Sequence, residues 1–265
     1  MQFDQQADIY DKRTGLGEQT ASKTAHTLEN LIKPFSDGIF MEIGAGTGEI
    51  GFFLQDLGIP YIGIDLSSRM LDVYRKRFTN PNSIPTLIQT DANNPWPLDD
   101  NLVSVFFSSR ALHHLKREHV VSELARLSIP HNSILVLGHV KRNKTSVKTI
   151  MRQEMHKILH DYGFQEKSGQ SNRKKLFELL EKKGGKVLDP VITSRWKVSH
   201  APIESINSWR VVDGIAGNEI KPTLKNKILD ELENRALSLF PDLNQPLEAE
   251  ERYELNAIKL GTSTE

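Results

Sequence analysis

The chain has 265 residues, 38% of them hydrophobic and 26% charged, a balance that supports a buried core and excludes global disorder. Lys plus Arg and Asp plus Glu are 34 each, so bulk charge does not draw this protein to a polyanion. Cysteine is absent, which excludes disulfides, thiolate metal sites and cysteine nucleophiles together. No apolar run reaches the roughly 20 residues needed to cross a bilayer, and residues 1–20 are polar and mixed in charge, unlike a secretory signal. A soluble cytoplasmic protein is the expectation.

Residues 1–37 read as a polar lead-in with a helix over 21–32, closed by Pro34. From 38 to 140, short apolar runs alternate with helical periodicity. Strands are expected at 39–43, 61–65, 86–90, 103–107 and 133–140. Helices are expected at 47–57, 67–78 with Ser67 as its N-cap, and 116–127. Uniformly apolar strands separated by helices indicate a parallel sheet covered on both faces. Helices follow at 145–162, 172–183, 202–210 and 221–239, with strand-like alternation at 187–200 and a final strand at 252–260. The expected fold is α/β, a Rossmann-like doubly wound and mostly parallel sheet of seven strands, the last antiparallel. Four parts are expected: an N-terminal lid (1–37), an α/β core (38–140), a mainly helical cap inserted after the fifth strand (141–240, contributing one core strand near 187–200), and a final strand and tail (241–265).

The first strand runs into Glu42-Ile43-Gly44-Ala45-Gly46-Thr47-Gly48. Glycines there let the backbone turn sharply and approach a ligand, and a helix beginning beyond them would offer free N–H groups. Asp65 closes the second strand, where a carboxylate can accept both hydroxyls of a ribose. Asp91 closes the third, and with the Ala92 N–H it can read an adenine edge. Acidic residues at successive strand ends beside one glycine loop describe a nucleoside pocket. Gly46 to Gly51 also fits the dinucleotide pattern G-x-G-x-x-G. Glu42, inside the strand, favours the other reading, since a dinucleotide loop does not need it and a carboxylate there suits a cationic ammonium or sulfonium.

The stretches FMEIGAGTGEIGFFLQDLG, YIGIDLSSRMLDVYRKR and QTDANNPWPLDDNLVSVFFSSRALHHL, with the opening FDQQADIYDKRTGLG, resemble the small-molecule, type 11 branch of the class I S-adenosylmethionine-dependent methyltransferases. The resemblance covers about residues 3–140. It implies S-adenosyl-L-methionine as cofactor, held by Glu42, Gly44, Ala45, Gly46 and Gly48 at its methionine part and by Asp65 at its ribose. Leu66 and Met70 would flank the adenine, Asp91 and Ala92 would bind its edge, and Ser108 would face the sulfonium. Tyr10 and Arg13 would fold over the cofactor as a lid. The chain departs from the branch at Ser128-Ile129-Pro130-His131-Asn132, where a Pro-Gly-Gly turn is usual.

For the chemistry, His113 and His114 follow the fourth strand. Either can serve as base or orient the acceptor, His113 being favoured, and Tyr10 is a further catalytic candidate. His156 and His160 share a helical face but lack the adjacent Glu of a zinc-protease helix, so no metal is expected. Trp196 and Trp209 lie in the expected cap and suit either core packing or a substrate wall. Residues 141–185 hold twelve Lys or Arg against five acids, while the chain from 230 onward is net acidic. The expected function is methyl transfer to a small-molecule acceptor by in-line displacement, without membrane or nucleic-acid partner. The alternatives are an RNA or protein methyltransferase on the same core and a nucleotide-dependent oxidoreductase.

Overall fold

The computed structural model describes residues 16–164, 169–216 and 218–261. Tyr10 and Arg13 lie outside the described residues, as does the side chain of His113.

Helix α1 (Glu18–Ile32) precedes β1 (Ile39–Ile43), β2 (Tyr61–Asp65), α2 (Ser68–Arg75), β3 (Thr86–Gln89), β4 (Val103–Ser109), α3 (Arg117–Leu127) and β5 (Ile134–Arg142). Then come α4 (Val147–Asp161), α5 (Gly169–Lys182), β6 (Lys186–Val187), β7 (Val191–His200), α6 (Pro202–Arg210), α7 (Pro222–Leu239) and β8 (Leu247–Lys259). Eight strands form one sheet in the order β3-β2-β1-β4-β5-β8-β6, with β7 also pairing with β8. β1 pairs in parallel with β2 and β4, β2 with β3, and β4 with β5, whereas β6 and β8 are antiparallel.

The strand expected at 187–200 is thus two strands. Pro190 has no N–H to give a ladder and separates β6 from β7. A larger difference follows β1. The helix expected at 47–57 is only a 3₁₀ turn, Gly51–Leu54. Gly48 sits at φ 72°, outside the right-handed helical region, and Gly51 adds a second weak helix former three residues on. No α-helix starts beyond the glycine loop, so the expected supply of N–H groups from a helix N-terminus is absent there.

Two compact units divide the chain, and each has its own core. The first comprises residues 1–139, 169–194 and 253–265. Its sheet is lined on one face by Met41, Ile43, Phe106, Leu135 and Leu137, which pack with Val120 and Leu124 of α3, Leu176 and Leu180 of α5, and Ile258 of β8. α1 buries Ala21, Thr24, Ala25, Leu28 and Ile32, one stripe at helical spacing. His131 stands at φ 60° in the turn before β5, where glycine is usual in the resembling branch. The second unit comprises residues 140–168 and 195–252. There α4, α6 and α7 enclose Met151, Met155, Ile158, Ile206, Ile228, Leu229, Leu232 and Ala236. Residues 169–194 group with the first unit; of the expected cap span 141–240, the sequence reading placed only a strand near 187–200 in the core.

Candidate active site

Strand order reverses between β1 and β4, since β2 and β3 lie on one side of β1 while β4 and β5 lie on the other. At such a switch point the loops beyond the carboxyl ends of the strands part and leave a crevice. The glycine loop leaves β1 at this place. Gly44 and Ala45 donate to the Ile64 carbonyl of β2 at 2.9 and 3.0 Å, folding the loop back on its neighbour.

Gly44, Gly46 and Gly48 all have positive φ, at 74, 54 and 72°. Packing within the protein accounts for two of them. A Cβ on Gly44 would lie 2.2 Å from that of Ala111, and one on Gly48 would lie 2.0 Å from the Tyr74 ring. Gly46 differs, because a Cβ there would meet nothing nearer than the Gly44 carbonyl at 4.0 Å. Its backbone therefore faces open space, and the glycine there leaves a cradle for a ligand.

Register puts the carboxylates on adjacent strand ends. Ile43 pairs with Ile64 and Asp65 with Gln89, so Glu42, Asp65 and Asp91 follow one another across β1, β2 and β3, at strand steps of roughly 5 Å. Asp65 Oδ2 accepts from Gly46 N–H at 2.9 Å and Oδ1 from Ser67 N–H at 2.8 Å. These two bonds hold the carboxylate at the end of β2 beside Gly46. Asp91 Oδ1 accepts from Asn93 N–H at 2.9 Å, fixing the β3 exit as a turn. Ala92 gives its carbonyl to the Trp96 indole at 3.0 Å. Ser67 caps α2 by accepting from Met70 N–H at 3.1 Å, and Met70 is buried behind the β2 exit. The Leu66 carbonyl accepts from Gln89 Nε2 at 3.3 Å.

Glu42 is the most enclosed of these acids, 3% exposed. Its Oε2 accepts the Tyr61 hydroxyl, whose oxygen accepts the Tyr74 hydroxyl at 3.0 Å. Burial pushes the Glu42 carboxyl up to about 8; the Tyr61 hydrogen bond works against this and Asp65 adds to it. Neither tyrosine was singled out from sequence. Glu42 pairs with Gly63, and Tyr61 lies two residues upstream on the same face, so only the β1–β2 register exposes the link.

From the other side of the crevice, Ala111 rests on Gly44 and brings the turn Leu112–His114 beside the glycine loop. Arg110 stands at φ 64° and is ion-paired with Glu49, a pairing that sequence reading also missed. Ser108, expected at the sulfonium, gives its hydroxyl to the Ile43 carbonyl at 2.7 Å and is 2% exposed, so it clamps β4 to β1. Ser109 shares a 2.5 Å hydrogen bond with the buried Tyr253 of β8. His114 is exposed, and partial desolvation lowers its pKa below the ordinary histidine value. On the opposite sheet face from Tyr253, His139 of β5 lies 3.8 Å from the buried Glu254.

The remaining candidates fall outside this group. Trp209 packs on the core of the second unit, and Trp196 is half-buried on β7. His156 is paired with Arg152 on α4 at 3.3 Å, and His160 is exposed.

A family model of the methyltransferase domain matches residues 41–137. An uncharacterized methyltransferase of Schizosaccharomyces pombe is 29% identical over 136 residues, 47% of this chain and 47% of that protein, so the chain spans about half the length of the curated relative it matches. Among solved structures, YcgJ of Bacillus subtilis aligns with a TM-score of 0.55 at 16% identity, covering 90% of this chain and 98% of that one. A putative methyltransferase of Bacillus halodurans aligns at 0.56 and 14%, covering 90% and 99%. YjhP of Escherichia coli aligns at 0.54 and 14%, covering 98% and 100%. These likenesses show a shared fold. The segment that builds the crevice is the segment the family model matches, so residues 41–137 are similar to a methyltransferase domain.

Proposed function

We propose that the chain transfers a methyl group from S-adenosylmethionine to a small-molecule acceptor by in-line displacement. The observation that carries this reading is Gly46, a left-handed glycine opening onto empty space, flanked by carboxylates on three consecutive strand ends. When bound, S-adenosylmethionine supplies an electrophilic methyl group on a sulfonium. The chain's contribution is to hold donor and acceptor in line, which accounts for a large share of rate in two-substrate reactions.

The residues divide the cofactor between them. Asp65 takes the ribose hydroxyls, while its bonds to Gly46 and Ser67 fix the orientation of the carboxylate. Asp91 and Ala92 read the adenine edge, and Leu66 and Met70 flank the ring. Glu42 offers negative charge to the amino-acid end. The acceptor meets the residues that follow β4, with His113 and His114 as candidates to orient it or take its proton. A lowered pKa leaves His114 neutral at physiological pH, the form able to accept a proton from an O–H or N–H nucleophile.

Three features support a small acceptor. The segment after β4 reads Ser108-Ser109-Arg110-Ala111, without the Asn/Asp-Pro-Pro-aromatic pattern of aminopurine methylation. The chain has no cysteine for attack on a pyrimidine ring, and its formal net charge is zero. Incubation with methyl-labelled S-adenosylmethionine and a cell extract, followed by ultrafiltration, tests the assignment. Label is expected in the low-mass filtrate as a new methylated compound. Label confined to RNA or protein would overturn the small-molecule reading.

A further inference from the structure

Two segments beyond the strand ends flank the point where strand order reverses. One is the glycine loop that leaves β1, and the other is the turn that leaves β4 and carries His113 and His114. They are joined at two places. Ala111 occupies the space that a side chain on Gly44 would need. Next to it, the Arg110 guanidinium donates to Glu49 Oε2. Glu49 Oε1 accepts the N–H of Leu16, which leads into α1, so one carboxylate ties three segments together. The Arg110 and Glu49 side chains are 22% and 13% exposed, so the pair reaches solvent and is not enclosed in the core. Arg110 also stands at φ 64°, in the left-handed region that few residues other than glycine adopt. Such a backbone persists only where its surroundings hold it. Here two consecutive residues do so, Arg110 through Glu49 and Ala111 through Gly44. The other side of the turn is fixed differently. Leu112 and Leu115 pack on the sheet core, and α5 lies against Leu112–His114.

Resting on the reading of the chain as an S-adenosylmethionine-dependent methyltransferase, we propose that Arg110 and Glu49 are positioning residues that fix the acceptor-side turn against the cofactor loop. Their bond sets the separation between the segment proposed to hold the methionine end of the cofactor and the segment that presents His113 and His114. In-line displacement depends on that separation, since a misplacement of about 1 Å can cost roughly 100-fold in rate. An arginine suits the task because its planar fork constrains direction as well as distance, which a lysine ammonium does not.

The test follows the His114 ring by NMR titration of the full-length protein, with its signals assigned from a His114→Gln spectrum. In the wild type, partial desolvation in the packed turn holds its pKa below the ordinary histidine value. Glu49→Gln and Arg110→Asn each release the turn, and both are expected to move the His114 pKa up toward that ordinary value. Gln keeps an oxygen to accept from Leu16, and Asn tolerates the left-handed φ. Through-space charge alone gives opposite signs, because loss of a cation raises a histidine pKa and loss of a carboxylate lowers it. Arg110→Lys keeps the charge without the fork and is expected to fall between the wild type and Arg110→Asn. The double variant is expected to shift no farther than the larger single one, since both remove one interaction. Opposite shifts in the two single variants, or no shift in either, overturn the proposal. Calorimetry with S-adenosylhomocysteine on the same proteins is expected to give unchanged affinity in every variant. Weakened binding would make the pair part of the cofactor site and overturn its positioning role. No binding by the wild type overturns the methyltransferase reading, while the His114 titration still decides whether the pair fixes the turn.

Discussion

At the scale of single residues, each glycine of the loop answers to a different constraint, and substitution separates them. Gly48 is tied to Tyr74, so Gly48→Ala forces a methyl group into the ring at a left-handed φ. A loss of about 2–4 kcal/mol is expected, combining overpacking with backbone strain, and chemical denaturation measures it. Asp65 is the proposed partner of the ribose instead. Asp65→Ala is expected to weaken S-adenosylhomocysteine binding at least about tenfold, because hydrogen bonds to a charged group contribute roughly 1.5–3 kcal/mol each. Unchanged affinity in a folded Asp65→Ala protein would make its role purely that of holding Gly46 and Ser67. Glu42, Gly46, Asp65 and Asp91 were legible in the sequence because strand ends and glycine spacing mark them. Tyr61, Tyr74 and Arg110 were not, because each acts through a neighbour that only strand register or a turn brings near.

At the scale of elements, β1 to β5 and the helices between them follow from apolar runs and caps, and they agree with the structure to within a few residues. The segment after the glycine loop does not, because helical periodicity at 47–57 is overridden by a left-handed Gly48. α3 illustrates a link that periodicity hides. Its Glu123 accepts from Trp96 N–H at 2.7 Å and from Arg126 at 2.6 Å, while Arg126 also reaches the Leu98 carbonyl at 2.8 Å and Asp100 at 2.9 Å. Helix and preceding loop are thereby tied around one buried carboxylate. Burial alone would raise the Glu123 pKa, but the Arg126 and Trp96 hydrogen bonds and the Arg126 charge hold it below the usual carboxylate range. A pKa lowered by folding stabilises the native state above the unfolded-state value, and that stability is lost as pH falls through the folded value. Glu123→Gln is therefore expected to be less stable than wild type at neutral pH and to converge with it in acid. A constant difference across the acid range, followed by thermal melts, would contradict this role.

At the scale of the molecule, the chain passes four times between two units with separate cores, and the residues proposed to hold the cofactor all fall in the first. Leu232 lies fully buried in the core of the second. Leu232→Ala is expected to cost roughly 2–5 kcal/mol while leaving S-adenosylhomocysteine affinity unchanged in the folded protein, read by denaturation and calorimetry side by side. The helices after residue 140 were legible as amphipathic runs, but the division into units was not. α5 carries the same periodicity as α4 yet buries Leu176 and Leu180 in the first core. Every role proposed at the glycine loop depends on the choice of cofactor, which the melting temperature of the full-length protein with candidate ligands reads out. A ligand bound only by the native state raises that temperature by mass action. S-adenosylmethionine and S-adenosylhomocysteine are expected to raise it and NAD(H) or NADP(H) to leave it unchanged. A rise with a nicotinamide nucleotide and none with S-adenosylhomocysteine would contradict the account.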